Sequence, residues 1–263
     1  MHAVDEFARF KTEGRKISVV TAYDAWSARL IARSQVDAIL VGDSAAMVMH
    51  GYPTTLPATV ELMALHTRAV AGAAAGRFVI SDLPFLSYRQ GSPAAIKAVG
   101  ALMTSGAQAV KLEGVDGHEE VIRQIVGSGV PVMGHLGLTP QSVNQFGGFR
   151  VQGKSQKAAA DLVRQAHVLQ DLGCFSLVLE CVPAALAAQI TSQLTIPTIG
   201  IGAGAATDGQ VLVLHDLWGV GGNHVPRFVR RYVDGEQLLT HALNQYDSDV
   251  KAARFPATEE SYS

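Results

Sequence analysis

Short apolar runs rich in β-branched residues alternate along the chain with longer amphipathic or Ala-rich segments. The runs are apolar almost throughout, which is typical of parallel strands covered by helices. Eight runs predict strands: Ile17–Thr21, Ala38–Val41, Phe78–Ile80, Ala109–Leu112, Pro131–Met133, Ser176–Leu179, Pro197–Ile201 and Val211–Leu214. The segments that predict helices are Ala25–Gln35, Thr59–Ala75, Pro93–Ser105, Glu119–Gly127, Ser155–Leu172 and Pro183–Gln193.

This alternation indicates an α/β protein, and eight strand candidates fit a closed (β/α)8 TIM barrel. A doubly wound open sheet is compatible with the same pattern. Nothing along the chain marks a domain boundary, so we expect one barrel domain over residues 1–263 with a short N-terminal extension. The polar stretch from Asp247 to Ser263 predicts a peripheral helix followed by a tail.

Composition narrows the class of protein. Twenty-one Lys and Arg against 23 Asp and Glu give a net charge of −2, so we expect no nucleic-acid partner. The N-terminus has no signal-peptide apolar region, and the most apolar stretch, residues 69–75, is too short to span a bilayer. Cys174 and Cys181 cannot form a disulfide framework. We therefore expect a cytoplasmic protein without a membrane partner.

Polar side chains stand where the predicted strands end, and in a barrel the loops after the strands form the active face. Nearly every run ends in an ionisable group. In chain order the strand ends carry Tyr23-Asp24, Asp43-Ser44, Asp82, Lys111 with Glu113, His135, Glu180, the Gly-rich segment 199–204 and His215-Asp216.

Three carboxylates, those of Asp43, Asp82 and Glu113, follow three successive strand candidates. Carboxylates crowded into a buried site repel one another unless a cation is present, and Mg²⁺ favours oxygen ligands. Lys111 and Glu113 are two residues apart, so both side chains should point the same way. A metal and an ammonium together would stabilise an enolate formed from a 2-keto acid. Glu180 is then available to move protons.

Less specific roles are open for each residue. An Asp after a strand is more often a helix N-cap or turn residue than a metal ligand. Lys111 and Glu113 would form a surface pair if their strand were exposed. Glu180 is also placed to cap the helix that opens at Pro183. His135, within VMGHLGLTP, is interpreted as a positioning or core histidine rather than a catalytic base.

Several segments resemble the ketopantoate hydroxymethyltransferase (3-methyl-2-oxobutanoate hydroxymethyltransferase) family, and they run through nearly the whole chain. The matching segments are VTAYDAWSARL (20–30), LVGDSAAMVMHGYPTTLPATV (40–60), DLPF (82–85), AVKLEG (109–114), PVMGHLGLTPQSVNQFGGFRVQGK (131–154), LVLECVP (177–183) and IPTIGIGAGAATDGQVLVLHDLWG (196–219). After GDS the family usually has Leu-Gly-Met, whereas this chain has Ala45-Ala46-Met47.

The resemblance implies a (β/α)8 barrel of the phosphoenolpyruvate mutase/isocitrate lyase-like group. It also implies transfer of a one-carbon unit from 5,10-methylenetetrahydrofolate, as co-substrate, to 3-methyl-2-oxobutanoate. The product would be 2-dehydropantoate, on the way to pantothenate, formed through a Mg²⁺-stabilised enolate. Members of this family are cytoplasmic homo-oligomers, commonly decamers of two rings of five.

The resemblance also assigns roles to individual residues. Glu180 in LVLEC would be the proton acceptor. The residues implied to hold Mg²⁺, one ion per subunit, are Asp43, Asp82 and, as a third metal-side carboxylate, Glu113. Those implied to bind the keto acid are Asp43, Ser44, Asp82 and Lys111.

Two other functions fit the same residues. One is a metal-dependent lyase or aldolase that uses enolate chemistry on a pyruvate-like acid without folate. The other is a non-catalytic barrel that binds a ligand or serves as a scaffold. Retention of all the proposed ligand types argues against the non-catalytic barrel.

Overall fold

The computed structural model describes residues 4–222 and 225–262, and its eight strands form one closed parallel barrel. Each strand is hydrogen-bonded to the next, and β8 closes against β1. The strands are β1 Ile17–Thr21, β2 Ala38–Val41, β3 Phe78–Asp82, β4 Ala109–Glu113, β5 Val132–Gly137, β6 Ser176–Glu180, β7 Thr198–Ile201 and β8 Gly209–Leu212. The barrel prediction is confirmed, and the open sheet is excluded.

Helices follow most of the strands, and several begin at a polar cap. The side chains of Asp24, Thr59 and Ser155 accept hydrogen bonds from the first turns of α2, α4 and α8, which satisfies amides that have no partner within the helix. The helices are α1 Asp5–Thr12, α2 Ala25–Arg33, α3 Ala45–Val48, α4 Val60–Ala71, α5 Ser92–Thr104, α6 Glu119–Gly127, α7 Val143–Phe146, α8 Gln156–Asp171, α9 Ala184–Gln193, α10 Leu214–Trp218 and α11 Gly235–Lys251.

Several predicted boundaries are wrong. Strand β5 ends at Gly137 rather than Met133, and α4 ends at Ala71 rather than Ala75. The last strand begins at Gly209 and ends at Leu212, two residues earlier than its apolar run. The C-terminal helix begins at Gly235, not near Asp247, because the Asp234 side chain accepts a hydrogen bond from the Gln237 amide and caps it there.

Residue contacts divide the chain into two compact units, which meet in sequence between Val213 and Leu214. The first unit holds the whole barrel and every strand. The second contains α10, α11 and a short 3-10 turn at Thr258–Glu260. A single domain over residues 1–263 stays a prediction. No helix within the described ranges is long and apolar enough to cross a bilayer.

Helix α1 joins the core at the N-terminal end of the strands. Phe7 and Phe10 are buried in one apolar cluster with interior residues from all eight strands. The Phe7 ring makes edge-on contacts with Phe78 at 5.6 Å and Phe175 at 5.2 Å between centroids. The residues before β1, expected as a plain extension, thus pack against the end of the barrel opposite to the strand ends that carry the polar side chains.

We expect Phe7→Ala to lower the free energy of unfolding by about 3–5 kcal/mol, because it removes a fully buried ring that its neighbours cannot replace. Urea unfolding monitored by circular dichroism measures this change. Phe149→Ala is the control, since 54% of that side chain is exposed, and it should cost no more than about 0.5 kcal/mol. Equal losses in the two variants would contradict the role of Phe7.

Candidate active site

The residues predicted from the strand ends come together at the C-terminal mouth of the barrel. The register pairs Asp82 with Lys111, Glu113 with His135, and Gly137 with Glu180. Except for Ser44 and Glu180, which are partly exposed, these polar side chains are buried. The residues gathered here are Asp43, Ser44, Asp82, Lys111, Glu113, His135 and Glu180.

One half of the site is an ion pair beside a second carboxylate. The Lys111 ammonium lies 2.8 Å from Asp82 Oδ1, and both side chains are about 5% exposed or less. Asp82 Oδ2 accepts a hydrogen bond from the Asp43 amide at 3.0 Å. The end of β2 is therefore tied to β3 by a backbone-to-carboxylate bond, which sets Asp43 next to Asp82.

The other half is centred on His135. Its Nδ1 is 3.2 Å from the Lys111 ammonium and 3.5 Å from Glu113 Oε1. Its Nε2 is 3.2 Å from Glu180 Oε2, and 17% of the Glu180 side chain is exposed, against 3% for Glu113 and His135. Glu180 is thus the carboxylate of this group that solvent or a substrate reaches most easily. His135 is buried between Lys111, Glu113 and Glu180, and its role as a positioning or core histidine stays a prediction.

Gln141 connects the two halves and is not among the site residues predicted from the sequence. Its Nε2 donates to Asp43 Oδ2 at 2.8 Å and to the Leu83 carbonyl at 3.0 Å, while its backbone amide donates to Glu113 Oε2 at 3.0 Å. Tyr88 OH donates to Gln141 Oε1 at 3.0 Å. The segment GHLGLTPQSV contains Gln141, so the signal was present, but its partners could not be read from the sequence.

The electrostatics of the site follow from burial and crowding. Burial raises the pKa of Asp43 well above its ordinary value, and the negative charges of Asp82 and Glu113 raise it further. Burial also raises the pKa of Asp82, although Lys111 opposes this. Burial acts to lower the pKa of Lys111, but the adjacent carboxylates outweigh it and raise that pKa. One ammonium does not neutralise three buried carboxylates.

The pKa of His135 reflects a balance of opposing effects. Burial and then the charge of Lys111 oppose protonation of the ring, but hydrogen bonding to Glu113 and Glu180 outweighs them and raises the pKa to about 8. Burial and Glu180 raise the pKa of the neighbouring Cys181 thiol to about 11, so this thiol is protonated and a poor nucleophile at neutral pH.

This donor set fits a hard divalent cation. The excess of buried carboxylate over ammonium is costly without further positive charge. Within the described part of the chain, no three His, Cys, Asp or Glu side chains form a ready-made metal cluster. Mg²⁺ needs only one or two carboxylates, because waters and substrate oxygens complete its shell. Asp43 and Asp82, which are tied together, meet that requirement; direct ligation by Glu113 stays a prediction.

The structure excludes some of the alternative roles. Asp43 does not cap a helix, since Ser44 precedes α3 and makes no side-chain capping bond. The residue before α9 is Pro183, so Glu180 does not cap that helix either. Lys111 and Glu113 are buried, which excludes a surface pair. Helix capping and a surface pair are therefore excluded, whereas Asp43 does lie in the turn after β2, and the functional roles of these residues stay predictions.

Ser44 lies at the edge of the site, where Tyr23 OH is 2.8 Å from its Oγ. His66 Nδ1 donates to the Tyr23 carbonyl oxygen at 2.6 Å, which fixes this residue after β1. Ala45 and Ala46 are fully buried in helical backbone, a conformation that requires no glycine. The departure from the Leu-Gly-Met pattern is therefore accommodated without strain.

Gly137 fixes the distance between β5 and β6 beside Glu180. Its φ is +94°, and a Cβ atom there would lie 2.2 Å from the Glu180 carbonyl oxygen. That carbonyl accepts a hydrogen bond from the Leu138 amide at 2.8 Å. Only glycine allows the two strands to approach this closely at the site.

Chemically, the arrangement joins an electropositive corner to a separate base. Lys111 and a cation held by Asp43 and Asp82 would attract a carboxylate and stabilise negative charge on a neighbouring carbonyl oxygen. Glu180, two strands away and more exposed, is suited to accept a proton. The site thus suits proton removal next to a carbonyl group.

Comparisons with known proteins agree with this chemistry. A family model described as ketopantoate hydroxymethyltransferase matches residues 2–258. A 3-methyl-2-oxobutanoate hydroxymethyltransferase of Bdellovibrio bacteriovorus is 54% identical over 263 residues, covering 100% of both chains. One from Coxiella burnetii (strain CbuK_Q154) is 52% identical over 255 residues, covering 97% of this chain and 96% of the relative.

Solved structures agree with the fold. Phosphonopyruvate hydrolase, crystallised with oxalate and Mg²⁺, has a TM-score of 0.68 at 11% identity, covering 99% of this chain and 93% of that one. A 2,3-dimethylmalate lyase, a member of the PEP mutase/isocitrate lyase superfamily, has a TM-score of 0.61 at 15% identity. The match covers 100% of this chain and 92% of that one. The barrel fold is confirmed, and the solved structures that share it include a member of the superfamily that the resemblance implied.

His118 packs beneath the Glu113 side of the site, with its ring 5.3 Å from that of Tyr88. Its side chain is buried, and Nε2 has no hydrogen-bond partner among the described residues. Burial and then the charge of Arg89 lower the pKa of His118 from 6.5 to about 4. The folded protein therefore holds this ring neutral at a pH where the unfolded chain protonates it.

Above pH 6.5 the His118 ring is neutral in both the folded and the unfolded chain, so it does not reduce the free energy of unfolding. As the pH falls from 6.5 toward 4, only the unfolded chain binds a proton at His118, and we expect the free energy of unfolding to fall. Between about pH 7 and about pH 5, the wild type should lose about 2 kcal/mol more of its free energy of unfolding than His118→Gln does, since the other titrating groups are common to both proteins. Urea unfolding at the two pH values measures it. His241→Gln, which changes an exposed histidine, is the control. The same pH dependence in all three proteins would refute the assignment.

Proposed function

The chain belongs to the ketopantoate hydroxymethyltransferase family, and on this basis we propose the reaction that its site performs. Its activity is that of a 3-methyl-2-oxobutanoate hydroxymethyltransferase, the enzyme of pantothenate biosynthesis. The proposal concerns the folate donor, the metal and the role of each residue. The observation that carries it is the burial of three carboxylates against one ammonium at the barrel mouth.

The keto acid would bind at the electropositive corner of the site. Lys111, held by Asp82 at 2.8 Å, directs its positive charge toward the carboxylate and 2-oxo group of 3-methyl-2-oxobutanoate. Ser44 supplies a hydroxyl at the edge of the same corner. Asp43 and Asp82 would hold Mg²⁺, with Glu113 as a further carboxylate on the metal side. Bound Mg²⁺ supplies Lewis-acid polarisation of the 2-oxo group.

Glu180 would then remove the C3 proton of the keto acid. The electron pair left by the C–H bond forms the enolate, whose negative oxygen Lys111 stabilises. His135 Nε2, 3.2 Å from Glu180 Oε2, holds the carboxylate in place. C3 next bonds to the methylene carbon of 5,10-methylenetetrahydrofolate as one of its two carbon–nitrogen bonds breaks. Water then replaces the second nitrogen and supplies the hydroxyl, while the two nitrogens take up the proton held by Glu180 and the proton released by the water. The net products are 2-dehydropantoate and tetrahydrofolate.

Two further properties are proposed with the reaction. The protein would be a homo-oligomer, as a decamer of two rings of five, and it would act in the cytoplasm. Large exposed apolar side chains on α11 support an assembly: Leu238, Leu239 and Leu243 are 62%, 57% and 68% exposed. Two free cysteines, both buried, are compatible with a reducing compartment.

Asp82→Ala should abolish most Mg²⁺ binding and lower turnover by more than about a hundredfold, because it removes a proposed metal ligand and the partner of Lys111. The reaction is run with 3-methyl-2-oxobutanoate, methylenetetrahydrofolate and Mg²⁺, and Mg²⁺ affinity is measured by calorimetry. A chelator should stop the wild-type reaction. The exposed Asp171→Ala is the matched control. Wild-type turnover that persists in chelator would refute the metal's role.

Glu180→Gln should keep the Mg²⁺ affinity of the wild type but slow deuterium exchange at C3 of the keto acid by about 10²–10⁴-fold, since the amide cannot accept the proton. NMR in D₂O without folate follows this exchange directly. The exposed Glu120→Gln serves as a control and should exchange normally. Undiminished exchange in Glu180→Gln would remove this residue as the base.

A further inference from the structure

We infer that a cavity beside Glu113 binds the pterin ring of the one-carbon donor, an inference that rests on the proposed function. The cavity has a volume of about 310 Å³ and lies between the loops that follow β3 and β5. Its walls include Phe85, Leu86, Tyr88, Asn144 and Gln145.

The cavity is joined to the reaction site by shared walls. Glu113 and Gln141 line it, whereas Asp43, Asp82 and Lys111 do not. Gln141 lines the cavity and its side-chain amide donates to Asp43 at 2.8 Å, so this one residue contacts both spaces. A donor seated in this cavity would lie next to the keto acid without displacing it from Lys111.

Its apolar wall suits a flat heterocycle. The side chains of Phe85 and Leu86 are 40% and 44% exposed, although both are large and apolar. Leu86 has a φ of +60°, which is unfavourable for this residue type. The turn is held by the Ser87 hydroxyl, which donates to the Pro84 carbonyl at 2.7 Å. Strain of this kind persists mainly at functional sites, and an exposed phenyl ring offers a stacking face.

The polar rim suits the edge of the same ring. Asn144 and Gln145 lie on α7, are exposed and make no side-chain hydrogen bond to another described residue. Each amide carries both donors and an acceptor, which complements a ring edge that alternates the two. The Gln141 amide is already occupied by Asp43, Leu83 and Tyr88. Ring recognition therefore falls to Asn144 and Gln145.

The volume of the cavity is too small for the whole folate donor, and its charge disfavours the keto acid. A volume of about 310 Å³ is at the lower limit for small-molecule sites, so the cavity accommodates a bicyclic ring but not the attached tail. The Glu113 carboxylate on its wall repels an anionic keto acid. The Arg89 guanidinium is engaged by the Glu113 and Asp116 carbonyl oxygens. The keto acid thus has its better site at Lys111.

Tetrahydrofolate is the probe, because it has the ring but no methylene group to transfer. Its dissociation constant is measured by calorimetry in the presence of Mg²⁺ and 3-methyl-2-oxobutanoate. Phe85→Ala and Asn144→Leu should each raise it by about tenfold, the effect of losing one stacking or bidentate contact. Leu65→Ala is the matched control, since that side chain is 59% exposed on α4, outside the cavity.

Deuterium exchange at C3 without folate shows that each variant is folded, and it should stay within about twofold of the wild type because the keto acid does not occupy the cavity. Dissociation constants equal to that of Leu65→Ala in both cavity variants would overturn the inference, as would a wild-type protein that does not bind tetrahydrofolate. A third outcome separates the two proposals. If the wild type binds tetrahydrofolate, the cavity variants weaken this binding, and no one-carbon transfer from methylenetetrahydrofolate occurs, the ring site is supported but the proposed function is refuted.

Discussion

An excess of buried carboxylate over ammonium at the barrel mouth governs the arrangement of the side chains around it. Lys111 neutralises Asp82, and a protonated His135 offsets part of the charge of Glu113, but Asp43 relies on a hydrogen bond from Gln141 and on charge that the described side chains do not supply. Burying an anion without compensation costs several kcal/mol, so the loop that carries Gln141 and the cation that the site attracts stabilise the same charges. Binding of the cation and ordering of the loop that carries Gln141 are therefore thermodynamically linked.

Much of the fold could be predicted because its signals are local. Strands covered on both faces are apolar throughout, and each of the eight runs corresponds to a barrel strand. Parallel strands also bring their carboxyl ends to one side, so polar residues at those ends had to meet. Lys111 and Glu113, two residues apart on β4, both contact His135, as strand periodicity requires.

The rest depends on contacts between distant residues. Gln141 lies 98 residues from Asp43 in the chain, and nothing near either residue encodes their hydrogen bond. Helix α1 is only eight residues long, and the packing of Phe7 against Phe78 appears only when the barrel closes. The beginning of α11 depended on recognising Asp234 as a cap within a polar stretch. Tertiary contacts decided the first two of these features, whereas the third is a local cap that the polar composition of the segment conceals.

The close approach of β5 and β6 at Gly137 restricts which substitutions homologues can accept at this position. Because a side chain there would collide with the backbone of Glu180, replacement by any other amino acid would displace the base rather than only loosen the barrel. Compensation would require concerted shifts in two strands, which single mutational steps do not provide. Homologues that keep the same reaction should therefore keep glycine at position 137, even where the surrounding apolar residues differ between them.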